Sequence, residues 1–189
     1  MDAQPHLPPG ASLTADWITP LQEAALVAFL DAGAWSGELR RHVRHFGYRY
    51  DYRARSATRE SRIGPLPDKL QGLAERLVAQ GCFSAVPDQV IANEYLPGQG
   101  IGAHVDCEPC FGDVIASLSL LSGCEMGFRC LASGEMRAVI LPPRSLLVLV
   151  GPARRDWTHA IAARLSDVID GLRVARQRRV SLTFRTMRF

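Results

Sequence analysis

Two histidines and an aspartate carry the clearest chemical signal in the sequence. His104 and Asp106 lie two residues apart in the segment GAHVD, and His159 follows far downstream in the triplet WTH. Side chains two residues apart on a strand point to the same side, so an imidazole from a second strand can complete three ligands on one face of a metal. Two imidazoles and one carboxylate leave coordination positions open, which suits non-haem Fe(II). The His-x-Asp pair alone is weak evidence, because such pairs occur by chance in many chains.

The strand predicted at 179–185 adds a second signal. Apolar residues alternate there with Arg179, Ser181, Thr183 and Arg185, which share one face. The two arginines lie roughly 20 Å apart on an extended strand, so one carboxylate cannot contact both directly. If both side chains lean inward, they can bracket a small dicarboxylate with charge-assisted hydrogen bonds. The alternative is a polar outer face on an edge strand.

A third group lies on the strand predicted at 89–95. Asn93 and Tyr95 share one face of that strand. An amide and a phenol there can supply the neutral hydrogen bonds that a ketoacid requires. Together with the arginines, these side chains indicate a site for a small organic acid beside the metal.

The surrounding sequence predicts the elements that position these residues. One amphipathic helix begins after the N-cap Thr19, with Gln22 completing a capping box, and stops at Gly33. Leucines at three- and four-residue spacing predict a second helix at 67–80. Beyond Gly81 the period becomes alternating, and six short strands are predicted, at 89–95, 113–121, 125–131, 137–141, 145–150 and 179–185. This order favours an α+β domain with a jelly-roll core.

Length and composition limit the class of protein. A chain of 189 residues suits one domain, which we expect at 17–189, after a Pro- and Gly-rich, poorly ordered N-terminus at 1–16. With 47% hydrophobic and 22% charged residues, the composition is that of a globular protein. No apolar run approaches the roughly 18 residues needed to span a bilayer, and the stretch MDAQPHLPPGAS lacks the basic and apolar regions of a secretory signal. We therefore expect a cytoplasmic monomer with no membrane partner.

The cysteines favour reduced thiols. Five cysteines are an odd number in a chain of ordinary size, which argues against a disulfide framework. Cys107 and Cys110 form a Cys-x-x-Cys pair directly after the metal motif. Such a pair can bind zinc, but no second pair has matching spacing. We expect a reduced dithiol in a loop, with a second metal as the alternative, and folding that does not depend on the cysteines.

Basic residues are concentrated in two stretches of the sequence. Residues 40–62 contain eight arginines and two acids, and residues 173–189 contain six arginines and no acid. In the first stretch, aromatic residues including Tyr48 and Tyr50 are interleaved with arginines such as Arg53. Aromatic faces and guanidinium groups are what a surface needs to stack bases and hold phosphates. The alternative is a solvated edge strand whose tyrosines pack on a core.

Taken in order, five motifs resemble the AlkB family of Fe(II)- and 2-oxoglutarate-dependent dioxygenases. They are Asn93-x-Tyr95, Pro97-Gly98, His104-x-Asp106, His159 and Arg179-x5-Arg185. The likeness spans about 40–188. The stretches at 93–106 (NEYLPGQGIGAHVD) and 141–150 (LPPRSLLVLV) look similar to the branch that contains the eukaryotic wobble-uridine tRNA hydroxylase.

The resemblance implies a double-stranded β-helix, the jelly-roll core, at about 85–189. It also implies N-terminal helices that buttress one side of this core and a nucleotide-recognition lid at about 40–62. The basic, aromatic stretch falls where such a lid belongs.

The resemblance also implies cofactors and the residues that hold them. Fe(II) would be bound by His104, Asp106 and His159, with O2 as the oxidant. The residues implied to bind 2-oxoglutarate are Asn93, Tyr95, Arg179, Ser181 and Arg185. Of the two arginines, Arg179 would hold the distal carboxylate and Arg185 would lie near the metal-bound end. Some relatives carry a second asparagine on the last strand, at the position where this chain has Ser181.

For the substrate, the resemblance implies nucleic acid with alkylated bases, in DNA or RNA and possibly tRNA. The implied reaction is oxidative demethylation of N-alkylated bases, as in DNA alkylation repair or RNA demethylation, with release of formaldehyde, succinate and CO2. Hydroxylation of a modified tRNA base without loss of carbon is one alternative, and a non-catalytic nucleic-acid-binding module is another. The residues expected to contact the substrate are Glu108, Arg129, Tyr48, Tyr50 and Arg53.

Overall fold

Short antiparallel strands make up most of the protein. The computed structural model describes residues 7–189. Within that part of the chain, no helix is long and apolar enough to cross a membrane. In chain order the elements are β1 (Ala11–Thr14), α1 (Pro20–Asp31), β2 (His42–Phe46), a 3-10 turn (Arg59–Ser61), α2 (Asp68–Ala79), β3 (Gln89–Tyr95), β4 (Ile101–His104), β5 (Phe111–Leu120), β6 (Cys124–Cys130), β7 (Met136–Leu141), β8 (Leu146–Val150), α3 (Gly151–Arg155), β9 (Trp157–Ile161), β10 (Ser166–Ile169), β11 (Leu172–Ala175) and β12 (Arg179–Met187).

The strands form two main sheets. The major sheet has six strands in the order β1-β8-β5-β12-β3-β2, and the minor sheet has four in the order β4-β9-β6-β7. Strands β10 and β11 form a separate antiparallel pair. From β3 to β9 the chain passes back and forth between the two main sheets. This crossing pattern is typical of a jelly roll.

A first hydrophobic core lies between the helices and one face of the major sheet. Helix α1 contributes Leu26 and Leu30, and α2 contributes Leu70 and Leu77, all buried. The sheet residues in this core are Phe46, Val90, Ala92, Ala116, Leu118, Leu120, Leu146, Val148, Val180, Leu182 and Phe184. Because side chains alternate along a strand, the residues between them point to the opposite face. That opposite face is turned toward the minor sheet.

A second core joins the two sheets. Ile115 and Leu147 of the major sheet belong to one buried cluster with Met126 and Phe128 of the minor sheet. Trp157, the first residue of β9, is part of the same cluster. The sheets therefore pack face to face, as in other two-sheet β folds. This cluster fixes the minor sheet relative to the major one.

Both predicted helices are present. The side-chain oxygen of Thr19 accepts a hydrogen bond from the Gln22 backbone N–H at 3.2 Å, and the Gln22 side chain accepts one from the Thr19 backbone N–H at 2.9 Å. This is the predicted capping box. Helix α1 ends at Asp31, two residues before the predicted stop at Gly33. Helix α2 ends just before Gly81, whose φ of +74° lies in the left-handed region that favours glycine.

The six predicted strands are present as β3, β5, β6, β7, β8 and β12, each within two residues of its predicted ends. Six strands had no counterpart among the predictions from alternation: β1, β2, β4, β9, β10 and β11. Each is only four or five residues long. A strand that short shows too few alternations to stand out from a loop.

The N-terminus differs from its prediction. Part of the segment predicted to be poorly ordered forms β1, which pairs with β8 at the edge of the major sheet. The backbone is further held by a hydrogen bond of 2.9 Å from the Val150 N–H to the Gly10 carbonyl. Proline and glycine content could not predict this pairing, because the partner strand β8 lies far from β1 in the sequence. Residues 1–6 of the same prediction lie outside the described residues.

The basic, aromatic stretch is divided by the fold. Its first part is β2, the edge strand of the major sheet, with Val43 and Phe46 buried. This part is therefore an edge strand, as in the alternative, but the residues that it packs on the core are Val43 and Phe46 rather than tyrosines. The residues after Phe46 form turns and a 3-10 turn up to α2. Only this later part can cover a cavity in the way that the lid prediction requires.

Phe184, near the centre of β12, should contribute strongly to the free energy of unfolding. Phe184 is fully buried in the first core, and Phe184→Ala should lower the free energy of unfolding by about 3–5 kcal/mol because it leaves a cavity. Leu131 is 62% exposed, so Leu131→Ala is the control, with an expected change within about 0.5 kcal/mol. Urea unfolding measures both. Equal losses in the two variants would contradict this packing.

Candidate metal and cosubstrate site

Strand pairing brings the two histidines together. His104 is the last residue of β4, and it lies directly opposite His159 of β9. The centres of their imidazole rings are 4.4 Å apart. The sequence predicted that Asp106 lies on the same strand as His104. In the structure, Asp106 lies just beyond the end of β4. One ligand atom from each of the three residues still lies within 4.8 Å of the others.

A buried arginine holds the aspartate carboxylate. Arg185 donates two hydrogen bonds to Oδ1 of Asp106, from Nε at 3.0 Å and from Nη2 at 2.6 Å. The other oxygen, Oδ2, lies 3.5 Å from Nε2 of His159. Burial is the largest single influence and would raise the pKa of the Asp106 carboxyl, but the charge and hydrogen bonds of Arg185, together with the two histidines, hold that pKa well below its usual range. The carboxylate is therefore anionic at neutral pH, with one oxygen turned toward the histidines.

The histidines are suited to bind a metal. Burial lowers the pKa of His159 to about 4, so its imidazole is neutral at pH 7. Nδ1 of His104 lies 2.8 Å from the Gly102 carbonyl, which can only accept, so Nδ1 donates there and Nε2 is the ring nitrogen left for a metal. Two imidazoles and an anionic carboxylate form the donor set that suits Fe(II). The three side chains therefore fit this metal.

The three potential ligands open onto a cavity of about 400 Å³ between the sheets. Asn93, Tyr95, Arg179 and Ser181 line its wall. Strand register brings these four together, because Arg179 of β12 lies opposite Tyr95 of β3 and Ser181 lies opposite Asn93. The sequence placed each of them on a strand face. The register that joins the two faces is visible only in the fold.

Arg179 indicates what the cavity can accept. Its side chain is buried, with 3% of the residue exposed, and Nη2 donates to Oγ of Ser119 at 2.8 Å. Its Nε and Nη1 atoms are buried without a hydrogen-bond partner among residues 7–189. A buried guanidinium with unused donors is costly unless an anion completes its hydrogen bonds. The cavity therefore fits a small carboxylic acid such as 2-oxoglutarate.

Similarity to known proteins agrees with this chemistry. A family profile described as the 2OG-Fe(II) oxygenase superfamily matches residues 31–185. The chain belongs to this superfamily. Within it, the curated relatives and a solved structure support membership of the AlkB family, as the resemblance implied. This chain is therefore a 2-oxoglutarate-dependent dioxygenase domain, and the cofactors of its family are Fe(II), 2-oxoglutarate and O2, as predicted.

Two curated relatives are similar to most of this chain, but the chain covers only part of each relative. The "Alkylated DNA repair protein ALKBH8 homolog" of Arabidopsis thaliana is 36% identical over 95% of this chain and 59% of its own length. The "tRNA (carboxymethyluridine(34)-5-O)-methyltransferase alkbh8" of Xenopus tropicalis is 37% identical over 87% of this chain and 27% of its own length. The chain therefore spans little more than half of the first relative and about a quarter of the second.

Solved structures share the fold at low sequence identity. "The structure of OsALKBH1" superimposes with a TM-score of 0.72 at 16% identity and covers 98% of this chain and 99% of that one. A Pseudomonas putida prolyl-4-hydroxylase gives a TM-score of 0.62 at 20% identity, over 95% of this chain and 93% of that one. These matches confirm the predicted double-stranded β-helix fold.

Of the five residues expected to contact the substrate, Tyr50 lines the cavity between the sheets. Its ring makes an edge contact with Tyr52 at 5.2 Å and lies 5.7 Å from Phe111. Tyr52, Arg41 and Arg55 also line the cavity, although the sequence analysis did not single them out. The sequence indicated these residues only as part of a stretch in which aromatic and basic residues alternate. That pattern does not show which side chains of the stretch face the cavity.

The structure does not bring the other four expected substrate residues to the cavity wall. Tyr48 packs against the ring of Phe189 at 5.4 Å. Arg129 points outward from β6 because its neighbour Phe128 occupies the inward position. Arg53 lies exposed in a turn, and Glu108 lies exposed in the loop after the metal motif.

Arg185 contacts the metal motif directly. The resemblance implied a place near the metal-bound end of 2-oxoglutarate, and two N–H groups of Arg185 bond the Asp106 carboxylate at that end of the cavity. Its Nη1 donates to Oε1 of Gln89 at 3.3 Å. Arg185 therefore orients a potential metal ligand. It lies on the same strand face as Arg179, with its guanidinium already paired.

A second arginine, missed by the sequence analysis, holds the backbone of the metal motif. Arg154 is buried, and it donates to the Asp106 carbonyl from Nη1 at 2.9 Å and to the Cys107 carbonyl from Nη2 at 3.4 Å. It belongs to the short helix α3, and its neighbour Arg155 points to solvent and bonds Asp113. The sequence offered no means to tell these adjacent arginines apart.

The cysteine prediction was wrong for one pair. Cys107 and Cys110 form a disulfide in the loop after Asp106. The turn brings their Cα atoms to 5.3 Å, within the usual range for a disulfide. Both sulfur atoms lie near the Arg55 carbonyl, at 3.5 and 3.8 Å. The disulfide thus closes a loop that touches both the metal motif and the segment after β2.

Counting the free thiols tests for the disulfide. Protein purified without reductant, unfolded and alkylated, should carry label on the three free cysteines, Cys82, Cys124 and Cys130. Prior reduction should raise the number to five. Intact mass spectrometry makes the count. Five labels without reduction would restore the dithiol prediction.

The backbone contact of Arg154 should matter for metal binding. Arg154→Met removes two hydrogen bonds to the loop that carries Asp106, and we expect Mn(II) affinity to fall about tenfold to a hundredfold, the usual range for residues that orient ligands. Calorimetric titration of Mn(II) without O2 measures this. Arg155→Met is the matched control, since its side chain is 45% exposed. Equal affinities in both variants would refute the role.

Proposed function

We propose that this chain uses Fe(II), 2-oxoglutarate and O2 to oxidise an alkyl group on a base of nucleic acid. His104, Asp106 and His159 would hold the iron. One observation carries the proposal: three ligand atoms within 4.8 Å of one another face the same cavity as a buried arginine with unused donors. A metal and an organic anion bound there would be neighbours.

The side chains around the cavity have distinct roles in this proposal. Arg179 would bind the distal carboxylate of 2-oxoglutarate, because its Nε and Nη1 are free to donate. Tyr95, beneath the guanidinium of Arg179 at 5.3 Å, packs against it, and Asn93 and Ser181 offer neutral hydrogen bonds. When bound, iron and 2-oxoglutarate supply the oxidation of a C–H bond by O2, with release of succinate and CO2.

The protein orients the carboxylate ligand before any cofactor binds. Arg185 holds Oδ1 of Asp106, so that Oδ2 remains turned toward His159. The same contact keeps a proton off the carboxylate at neutral pH, because protonation would cost the charge-assisted hydrogen bonds. Burial keeps His159 neutral. Asp106 and His159 are therefore in the protonation states that metal binding needs.

Nucleic acid is favoured as substrate by the segment between β2 and α2. Tyr50 and Tyr52 stand at the cavity, where their rings can stack on a base. Exposed arginines follow them, and none forms an ion pair with an acid in the described part of the chain; they are Arg53, Arg55, Arg59 and Arg62. Because the metal ligands are recessed, a target base would have to be flipped out or come from a single strand.

Two reactions fit this site. Hydroxylation of a modified tRNA base without loss of carbon is favoured by the relative that is named for carboxymethyluridine in tRNA. Oxidative demethylation of an N-alkylated base in DNA or RNA, with release of formaldehyde, is favoured by the relative that is named for alkylated DNA repair. Both need the same iron and 2-oxoglutarate site. They differ in whether the hydroxylated product loses a carbon.

Turnover assays test the proposal and separate the two reactions. With Fe(II), 2-oxoglutarate and O2, succinate should form above the substrate-free rate on one of a panel of alkylated single- and double-stranded DNA, RNA and wobble-modified tRNA. One formaldehyde per succinate indicates demethylation, whereas a hydroxylated base without formaldehyde indicates hydroxylation. His104→Ala should reduce succinate to the level without protein, because it removes one of the ligands that hold the metal. No substrate-stimulated succinate on any nucleic acid would overturn the nucleic-acid assignment.

A further inference from the structure

Arg41 contacts the proposed cosubstrate site from outside the strands that form it. It directly precedes β2, which pairs with β3 at the edge of the major sheet. Its Nε donates a hydrogen bond of 2.9 Å to Oδ1 of Asn93, and its side chain lines the same cavity. No carboxylate in the described chain forms an ion pair with it.

This hydrogen bond determines which end of the Asn93 side chain faces the cavity. A guanidinium can only donate, so the atom it contacts must be the amide oxygen. The amide nitrogen, Nδ2, makes no hydrogen bond to any residue from 7 to 189, while Asn93 is buried and lines the cavity. The amide therefore presents its N–H donors to whatever binds there.

Without Arg41 this orientation would not be imposed. An amide can rotate by half a turn and exchange its oxygen and nitrogen at little steric cost, because the two ends have nearly the same shape. The rotated amide would present an oxygen lone pair to a carboxylate or keto oxygen. A donated hydrogen bond would then be replaced by a repulsive contact between two acceptors.

A second contact fixes Arg41 itself. Its guanidinium carbon lies 5.7 Å from the ring centre of Tyr52, within the range of a cation–π contact. Tyr52 packs in turn against His45 and Tyr50, at 5.7 and 5.2 Å. The arginine is therefore held between an aromatic cluster and the asparagine that it orients.

We propose that Arg41 is a positioning residue for the cosubstrate, which fixes the Asn93 amide so that its N–H groups face 2-oxoglutarate. The inference rests on the proposed cosubstrate site. It adds a residue outside the motif that carried the family resemblance.

Binding of 2-oxoglutarate to the Mn(II)-loaded protein without O2, measured by calorimetry, tests the role without turnover. Arg41→Met should weaken binding about tenfold, the effect of losing one hydrogen bond to a charged group. Arg40→Met is the matched control, since Arg40 is the exposed neighbouring arginine, and its affinity should stay within about twofold of wild type, well inside the effect of that lost bond. Thermal unfolding of the metal-free variants checks the fold, and Arg41→Gln replaces Arg41→Met if that variant fails to fold.

A double-mutant cycle separates positioning from simple charge. If Arg41 acts through Asn93, then Arg41→Met should cause little further loss in an Asn93→Ala background. An equal loss in both backgrounds would overturn the inference, because Arg41 would then attract the dianion directly. Unchanged affinity in Arg41→Met would overturn it as well. If the wild-type protein binds no 2-oxoglutarate, the proposed cosubstrate site fails and this inference fails with it.

Discussion

The central position of β12 in the major sheet is the constraint on which the site depends. This strand lies between β3 and β5, so each of its inward side chains meets partners from both neighbours. Arg179 is thereby set against Tyr95 at one end of the cavity, and Arg185 reaches Asp106 at the other. A slip of one residue would turn both arginines into the helix-facing core and expose the core residues to the cavity. Burial of the alternate apolar residues therefore also secures the chemistry.

The two arginines of β12 have opposite electrostatic situations. Arg185 is neutralised by Asp106 within the protein, which fixes a carboxylate oxygen toward the histidines. Arg179 has a hydroxyl partner in Ser119, and among residues 7–189 no acid pairs with it. Its charge is therefore left for a ligand, and the hydrogen bonds that the fold does not supply favour binding of an anion. One strand face thus carries a structural ion pair at one end and an arginine with unused donors at the other.

The edge of the same sheet connects the cavity to the exposed surface. Strand β2 is held by pairing with β3, and the residue before it, Arg41, reaches Asn93 inside. The segment after β2 turns back so that Tyr50 and Tyr52 reach the cavity, while the Cys107–Cys110 loop touches the backbone of Arg55. The proposed substrate-facing segment is thus in contact with both the proposed cosubstrate wall and the metal motif.

The sequence by itself determined what depends on nearby residues. The Thr19 capping box starts α1, alternation marks β3 and β12, and the types and spacing of His104, Asp106 and His159 indicate a metal site, because each signal lies within a few residues or repeats with a fixed period. Only the tertiary structure decided which groups meet across the chain. Arg179 and Arg185 look alike on one strand face, and adjacent arginines in α3 differ in burial, because a partner from another strand or loop selects between them. The pairing of β1 and the disulfide after the metal motif have the same origin, since both depend on distances that neither periodicity nor composition encodes.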